Sequence, residues 1–368
     1  MNMYAAALWG ISLASALVYL GLLARLGSAW RHISRPGPRA TSRPISIVIA
    51  ARNEAHRIDR CIASLLAQEY SDWEIIVALD RCSDGSRDLL TAMQEQQPRL
   101  RFIEITETPP GWAPKKWALT QAIAAARHAH LAFTDADCRV GPQWLRHIDA
   151  AFGEGNELVL GLGPYETEKG LLNRIIRFET SYTALQYIGM ACLGQPYMGV
   201  GRNLAYTRQF FLQHGGFGAF RSSLSGDDDL MVNHYADPAR TAVMTAPGSE
   251  TWSEPAHTWQ QWFRQKTRHV SASLHYKKAS MAFLGAFHLS HSLFYISLLA
   301  GAVTFSASLS FMLYIARILL SLCVIRRTAL QTDRLPEMLR YPVLDLLYFL
   351  YNLTVVPIGF IRKPSWRN

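Results

Sequence analysis

Phe133-Thr134-Asp135-Ala136-Asp137-Cys138 sets two carboxylates one residue apart, directly after the apolar run Leu131-Ala132-Phe133. A strand over that run would deliver Asp135 and Asp137 from its carboxyl end on one side, where open α/β sheets hold their ligands. Paired hard oxygens there suit a divalent cation, which commonly holds a diphosphate in turn. By itself an Asp-x-Asp reads equally well as a solvated turn. A second cluster is Asp227-Asp228-Asp229. Three adjacent carboxylates repel, so at least one should have a raised pKa, which suits proton abstraction. The same residues also read as a helix start, with Ser225 as cap and acidic groups favourable to the dipole.

The elements that must place these groups alternate between strand and helix. Ile45 to Ala50 is a β-branched, buried type of strand, and Ile58 to Gln68 has helical periodicity. Glu74 to Leu79 is a second strand ending in Asp80 and a Ser83-Asp84-Gly85-Ser86 turn. Arg87 to Gln97 is predicted helical, Arg101 to Ile105 a third strand, and Lys116 to His128 an Ala-rich helix ahead of the Asp135 strand. This order predicts an α/β fold with a parallel run of strands and helices on both faces. Neither G-x-x-x-x-G-K nor G-x-G-x-x-G occurs, so a glycine-rich phosphate loop is not expected.

Taken together, these segments resemble a membrane-bound family 2 glycosyltransferase, in the branch that glycosylates lipids such as ceramides, hopanoids or carotenoid acids. Ile47 to Glu54 is similar to the family's first strand and "P-x-x-N-E" segment, with Ala50 in the proline slot before Arg52, Asn53 and Glu54. Leu79 to Ser86 resembles "D-D-x-S-x-D-G-T"; Leu79 replaces the first aspartate and leaves Asp80 to contact the nucleobase. Lys115 stands where the "G-K-x-x-A-L-N" lysine does, and Asp135-Ala136-Asp137 matches the family's D-x-D. Gly201-Arg202-Asn203 is like the acceptor-side "G-T-N", with Arg202 in the threonine slot. Gly226 to Leu230 resembles "E-D-x-D-L", which implies Asp227, or its neighbour Asp228, as catalytic base. Gln265 to His269 is similar to "Q-R-x-R-W", assigning Gln265 and Arg268 to the donor diphosphate.

The resemblance implies a GT-A, Rossmann-like domain with a mixed central sheet. It also implies Mg²⁺ or Mn²⁺ on Asp135 and Asp137, and an inverting transfer from a nucleotide-sugar, by family default a UDP-sugar. Trp259, Trp262 and Phe263 have helical spacing and suit an interfacial belt, with Trp262 also a candidate on the acceptor side. For Arg268 and Lys266, contact with lipid headgroups is the other reading. His257, His269 and His275 make no metal-ligand pattern.

Long apolar blocks place the chain at a membrane. In 368 residues the mean hydropathy is +0.03, and apolar residues concentrate at the two ends. From Met3 to Leu26 there is no charge until Arg25, which gives a run of ~20 apolar or small residues, enough to span a bilayer. Arg25, Arg31, Arg35, Arg39 and Arg43 follow, which puts the N-terminus outside and the rest in the cytoplasm. A cleaved signal peptide fits poorly, since no basic n-region precedes the run. Met281 to Ile325 fits a helical hairpin turning near Gly301 to Ser306, with Arg317 snorkelling to the surface. Tyr341 to Ile361 holds Pro342, Asp345 and Pro357 and suits a re-entrant or interfacial helix. Leu171 to Ile188 is amphipathic and suits the membrane surface or the acceptor entrance.

The expected layout is an anchor at 1–27, a basic linker at 28–43, the transferase domain at 44–279, a transmembrane hairpin at 280–326 and a cytoplasmic linker with the last helix at 327–368. This describes a multi-pass protein of the cytoplasmic (inner) membrane. The formal charge of +9 sits beside apolar blocks, so membrane lipids and not nucleic acid are the expected partners, beside a nucleotide-sugar and a lipid acceptor. Five scattered cysteines (Cys61, Cys82, Cys138, Cys192, Cys323) give no disulfide framework. Two other readings share the residues: a processive polysaccharide synthase, and a degenerate scaffold or sugar-nucleotide sensor.

Overall fold

The computed structural model describes residues 3–30, 33, 42–153, 155–331 and 339–361. Helix α1 (Met3–Ala29) precedes β1 (Ile45–Ala51), α2 (Ile58–Leu66), β2 (Trp73–Asp80), α3 (Ser86–Gln96), β3 (Leu100–Ile105) and α4 (Pro114–Ala125). Then come β4 (His130–Phe133), β5 (Cys138–Val140), α5 (Trp144–Phe152), β6 (Leu158–Gly161), α6 (Leu171–Cys192), β7 (Leu204–Thr207), α7 (Arg208–Gln213) and α8 (Asp229–Tyr235). The chain continues through β8 (Thr241–Met244), β9 (Thr251–Ser253), α9 (Trp259–Ala272), α10 (Lys278–Thr304), α11 (Ala307–Gln331) and α12 (Tyr341–Ile361). Two compact units result. The α/β unit takes Ile33–Thr167 and Gly194–Pro255, and the helical unit takes Met1–His32, Glu168–Leu193 and Ala256–Pro364.

In the α/β unit a seven-stranded sheet runs in the order β3-β2-β1-β4-β7-β6-β8. Strands β3, β2, β1 and β4 are parallel, as the alternating segments predict. β7 then runs antiparallel to both β4 and β6, which makes the sheet a mixed one of the GT-A, Rossmann-like type. Ile45, Ile47, Val48 and Ile49 are fully buried, because helices cover both faces of a parallel strand. From β1 the chain steps outward through β2 to β3 and then crosses back to add β4 on the other side of β1, so the carboxyl ends of β1 and β4 form a crevice at the switch point. Asp80 closes β2 and Asp135 follows β4 at that edge. Beyond Asp137 the chain enters β5, which pairs with β9 in a separate two-stranded ribbon.

Helix α4 starts two residues before the expected Lys116. Pro114 occupies its first turn, where a fixed φ and a missing N–H cost nothing. Lys115 and Lys116 therefore sit at the positive end of the helix dipole, an unfavourable place for cations. Carboxylates and carbonyls from elsewhere in the unit offset that cost, as described below.

In the helical unit α1, α10, residues Ala307–Arg326 of α11 and α12 are each long and apolar enough to cross a membrane. α10 and α11 join at Phe305-Ser306, inside the predicted turn. Arg317 corrects one expectation: it does not snorkel. It is 2% exposed, and its Nη1 donates to Asp345 Oδ2 of α12 over 2.6 Å. Its guanidinium also lies over the rings of Tyr19 and Phe294, at 4.3 and 4.7 Å. An interior carboxylate removes the reason for the side chain to reach for water. Helix α6 packs by aromatic contacts, with Phe178 against Tyr182, Tyr341 and Tyr348.

Candidate active site

Lys115 gathers the carboxylates. Its Nζ lies 3.0 Å from Asp135 Oδ1 and 2.9 Å from Asp227 Oδ2, which ties the turn after β4 to the loop before α8. Burial disfavours the ammonium, but Asp135, Asp227 and Asp228 outweigh it and hold its pKa up. Burial also raises the Asp227 carboxyl; Lys115 and Lys116 overcome that and hold it below the ordinary carboxylate value. Asp228 goes the other way, pushed up by burial and by the charge of Asp227.

The two rivals for the base differ in what their oxygens do. Asp228 caps α8: Oδ1 accepts from the Asp229 N–H at 2.7 Å, and Oδ2 accepts from the Gly201 N–H at 2.6 Å. Asp227 meets Lys115 instead and keeps a side-chain exposure of 15%. Gly226 makes the turn into this cluster with φ +86°, and a Cβ there would meet Leu230 at 2.5 Å. A glutamate, usual in the resembling motif, would not fit this backbone.

Asp135, Asp137 and Cys138 bring one ligand atom each to within 4.8 Å of one another. Burial and the neighbouring Asp135 push the Asp137 carboxyl up, a strain that a bound cation would relieve. The two carboxylates fit a hard divalent cation. The Cys138 thiol does not: burial and both aspartates keep it protonated, and it lies 3.0 Å from Ser253 Oγ.

Around Asp80 the loops after β1 and β2 are stitched together. Asp80 is 3% exposed and accepts from Arg81 Nε at 2.7 Å, with Arg52 at 4.0 Å. Asn53, at φ 56°, accepts from the Ser83 N–H at 2.8 Å, and the Glu54 N–H donates to Ser86 Oγ at 3.2 Å. Ala50 is half-buried, and Ala136 lies in the hydrophobic core beneath.

Arg202 and Asn203 fill space that two glycines leave. Arg202 Nε donates to the Gly163 carbonyl at 3.0 Å, and its guanidinium sits 4.4 Å from the Tyr165 ring centroid. Asn203 is 1% exposed; its amide donates to Leu162 O and Ser249 O at 2.7 and 2.8 Å and accepts from Trp144 Nε1 at 3.0 Å. Both amide hydrogens of Asn203 are therefore used within the fold.

Trp262, Gln265 and Arg268 belong to the helical unit, on α9. Trp262 is 5% exposed against Tyr351, while Gln265 and Arg268 are half-buried. Lys266, read above as a possible headgroup contact, is buried in an ion pair with Glu179. The sequence reading missed Lys116 beside Lys115. The only signal for it was a second cation in the first turn of a helix, where cations are disfavoured.

Known proteins resemble this chain in sequence and in fold. Residues 46–224 match the model of the glycosyl transferase family 2. An uncharacterized glycosyltransferase of Nostoc sp. is 37% identical over 108 residues, 29% of this chain and 32% of its own length. The probable glycosyltransferase YdaM of Bacillus subtilis is 25% identical over 249 residues, 65% of this chain and 56% of its own length. The matched regions thus span between a third and just over half of these relatives. Among solved structures, a mannosyltransferase from Pyrobaculum calidifontis, in complex with GDP-Man and Mn²⁺, superposes with a TM-score of 0.59. It is 17% identical, and the match covers 94% of this chain and 99% of that one, a likeness of fold.

Proposed function

Because residues 46–224 form a glycosyl transferase family 2 domain, we propose that this protein transfers a sugar from a nucleotide-sugar to a lipid or isoprenoid hydroxyl or carboxyl group at the cytoplasmic face of a membrane. The observation that carries the reading is the joining of Asp135 and Asp227 through Lys115 at the carboxyl edge of the sheet. Four apolar helices support a membrane-borne acceptor. The transferase domain would span 44–279, with an anchor at 1–27, a basic linker at 28–43, a transmembrane hairpin at 280–326 and a cytoplasmic linker with a re-entrant or interfacial last helix at 327–368.

The reaction breaks the bond from the anomeric carbon to the diphosphate oxygen and forms one from the same carbon to the acceptor oxygen. Mg²⁺ or Mn²⁺ on Asp135 and Asp137 would supply Lewis-acid stabilisation of the diphosphate. Lys115 adds positive charge between that site and the base. Asp227 takes the acceptor proton: Lys115 keeps it ionised and ready to accept, whereas both oxygens of Asp228 hold backbone amides. A single base on the acceptor side gives direct displacement with inversion, without a glycosyl-enzyme. Asp80, Arg52, Asn53 and Glu54 would receive the nucleoside.

The test is nucleoside-diphosphate release by the detergent-purified full chain from UDP-glucose, UDP-GlcNAc and GDP-mannose, with Mn²⁺ or EDTA and with membrane lipid extract. Metal-dependent release that rises with the extract and yields a lipid carrying one sugar supports the reading. A long polymer would replace it with a processive synthase. Donor binding without release would replace it with a sensor.

A further inference from the structure

The Lys116 ammonium is 1% exposed and spends its three protons on carbonyls of a single loop: Phe220 O at 3.0 Å, Ser223 O at 2.7 Å and Ser225 O at 2.7 Å. The Ala113 N–H, at the cap of α4, donates to Arg221 O of the same loop over 2.7 Å. The Lys116 ammonium also lies 5.3 Å from the Phe220 ring centroid. The start of α4 thus grips residues 220–225 at four carbonyls. Two residues beyond Ser225 the loop presents Asp227.

A buried ammonium without a carboxylate on it costs several kcal/mol unless its protons are all bonded. An uncharged side chain could close this loop more cheaply. The charge makes sense in the field of the carboxylates just beyond. We infer that Lys116 is a positioning residue for the transfer reaction: it fixes the loop that carries Asp227 and adds a second positive charge to that of Lys115 near this carboxylate. The inference rests on Asp227 being the base.

The groups that bear on Asp227 are Lys115 and Lys116 from α4, Tyr206 from β7, and Asp228 and Asp229 in its own segment; Asp135 acts through Lys115. Among these only the two lysines lower its pKa by charge. Loss of Lys116 should thus raise the pH at which Asp227 protonates, besides loosening the loop.

The experiment follows the pH dependence of kcat/KM for nucleoside-diphosphate release by the full chain, with whichever of the three donors turns over. Lys116→Met keeps the stem and removes the charge. The expected result is a kcat lower by about a hundredfold from misplacement of the base and an acid limb moved up by about one pH unit. Donor KM should stay within about twofold of the wild type, because Lys116 touches no part of the donor site. Lys116→Arg retains charge and should keep the wild-type acid limb, and it serves also if the Met variant does not fold. An unmoved limb in Lys116→Met, or a limb shifted equally in Lys116→Arg, overturns the inference. Asp227→Asn is measured alongside: if it keeps turnover, the assignment of the base fails, and if it is dead while Lys116→Met is unaltered, only the role of Lys116 fails.

Discussion

Lys115 Nζ stands 2.9 Å from Asp227 Oδ2, and the same ammonium is 3.0 Å from Asp135 Oδ1. One cation therefore links the candidate metal ligand to the candidate base, though they lie 92 positions apart in the chain. The three groups are half-buried, so the link is screened less than a fully exposed ion pair of equal length. Lys115→Met is expected to lower kcat/KM by about 10² to 10³-fold, since charge next to a departing diphosphate and orientation of the base go together. Donor KM should rise as well, which distinguishes it from Lys116→Met. Steady-state kinetics with the donor varied checks both.

Asp227 and Asp228 should separate cleanly. Asp227→Asn is expected to lose about 10² to 10⁴-fold in kcat while binding the nucleotide-sugar normally in a thermal-shift assay. Asp228→Ala removes the cap of α8 and the Gly201 bond, so it should cost about 1 kcal/mol of stability or more. Unchanged turnover in both Asp227→Asn and Asp228→Asn would remove the base from this loop.

Acid unfolding offers a further check on the same pair. Asp227 has a lowered folded pKa, so its contribution to stability is present above the ordinary aspartate value and is lost as pH falls through the folded one. Asp228 has a raised pKa, so its contribution is present below the ordinary value and lost as pH rises through the folded one. Asp227→Asn should flatten the loss of stability on acidification, and Asp228→Asn should steepen it. Denaturant midpoints across the acid range measure both slopes.

The parallel half of the fold was legible because buried strands and covering helices have different periods, and each Asp at a strand end marks the edge where ligands sit. Asp135, Asp137 and Asp227 stood out by spacing and type. Lys116 did not, because its partners are backbone carbonyls, which have no residue signature. Asn203 was legible as a polar residue in a motif. Its bonds to Leu162 O, Ser249 O and Trp144 come from three separate segments and could not be foreseen. Arg317 was misread because Asp345 lies in a block considered separately, and a charge without its partner in view is expected to seek water.

Gly161 and Gly163 make room for the Asn203 and Arg202 side chains. A Cβ on Gly161 would lie 2.4 Å from Asn203 Cγ, and one on Gly163 would lie 2.5 Å from Arg202 Nε. Asn203 is pinned by three hydrogen bonds and cannot step aside, so Gly161→Ala should cost about 1 to 3 kcal/mol. Gly163→Ala would displace a longer, more adaptable side chain and should destabilise less. Thermal midpoints of the two variants decide; an equal or reversed order would mean that Asn203 is less firmly held than its bonds indicate.

The Asp345 carboxylate tests what holds the apolar helices together. It accepts from Arg317 Nη1 at 2.6 Å, from Tyr295 OH at 2.7 Å and bonds His291 Nε2 at 3.1 Å, so α10, α11 and α12 meet on one buried group. Removing one partner strands the other charge away from water. Arg317→Met and Asp345→Leu should each destabilise the protein by about 3 to 5 kcal/mol. In the double variant no charge is left unpaired, so part of that loss should be recovered; the rest remains because Tyr295 OH and His291 Nε2 lose their acceptor. The measurement is the thermal midpoint of the detergent-purified protein for the wild type, both single variants and the double variant. Recovery in the double variant would mark the pair as a device for helix register whose charges are not needed individually. Losses that simply add would mean that Arg317 and Asp345 act on the bundle independently, despite the 2.6 Å between them.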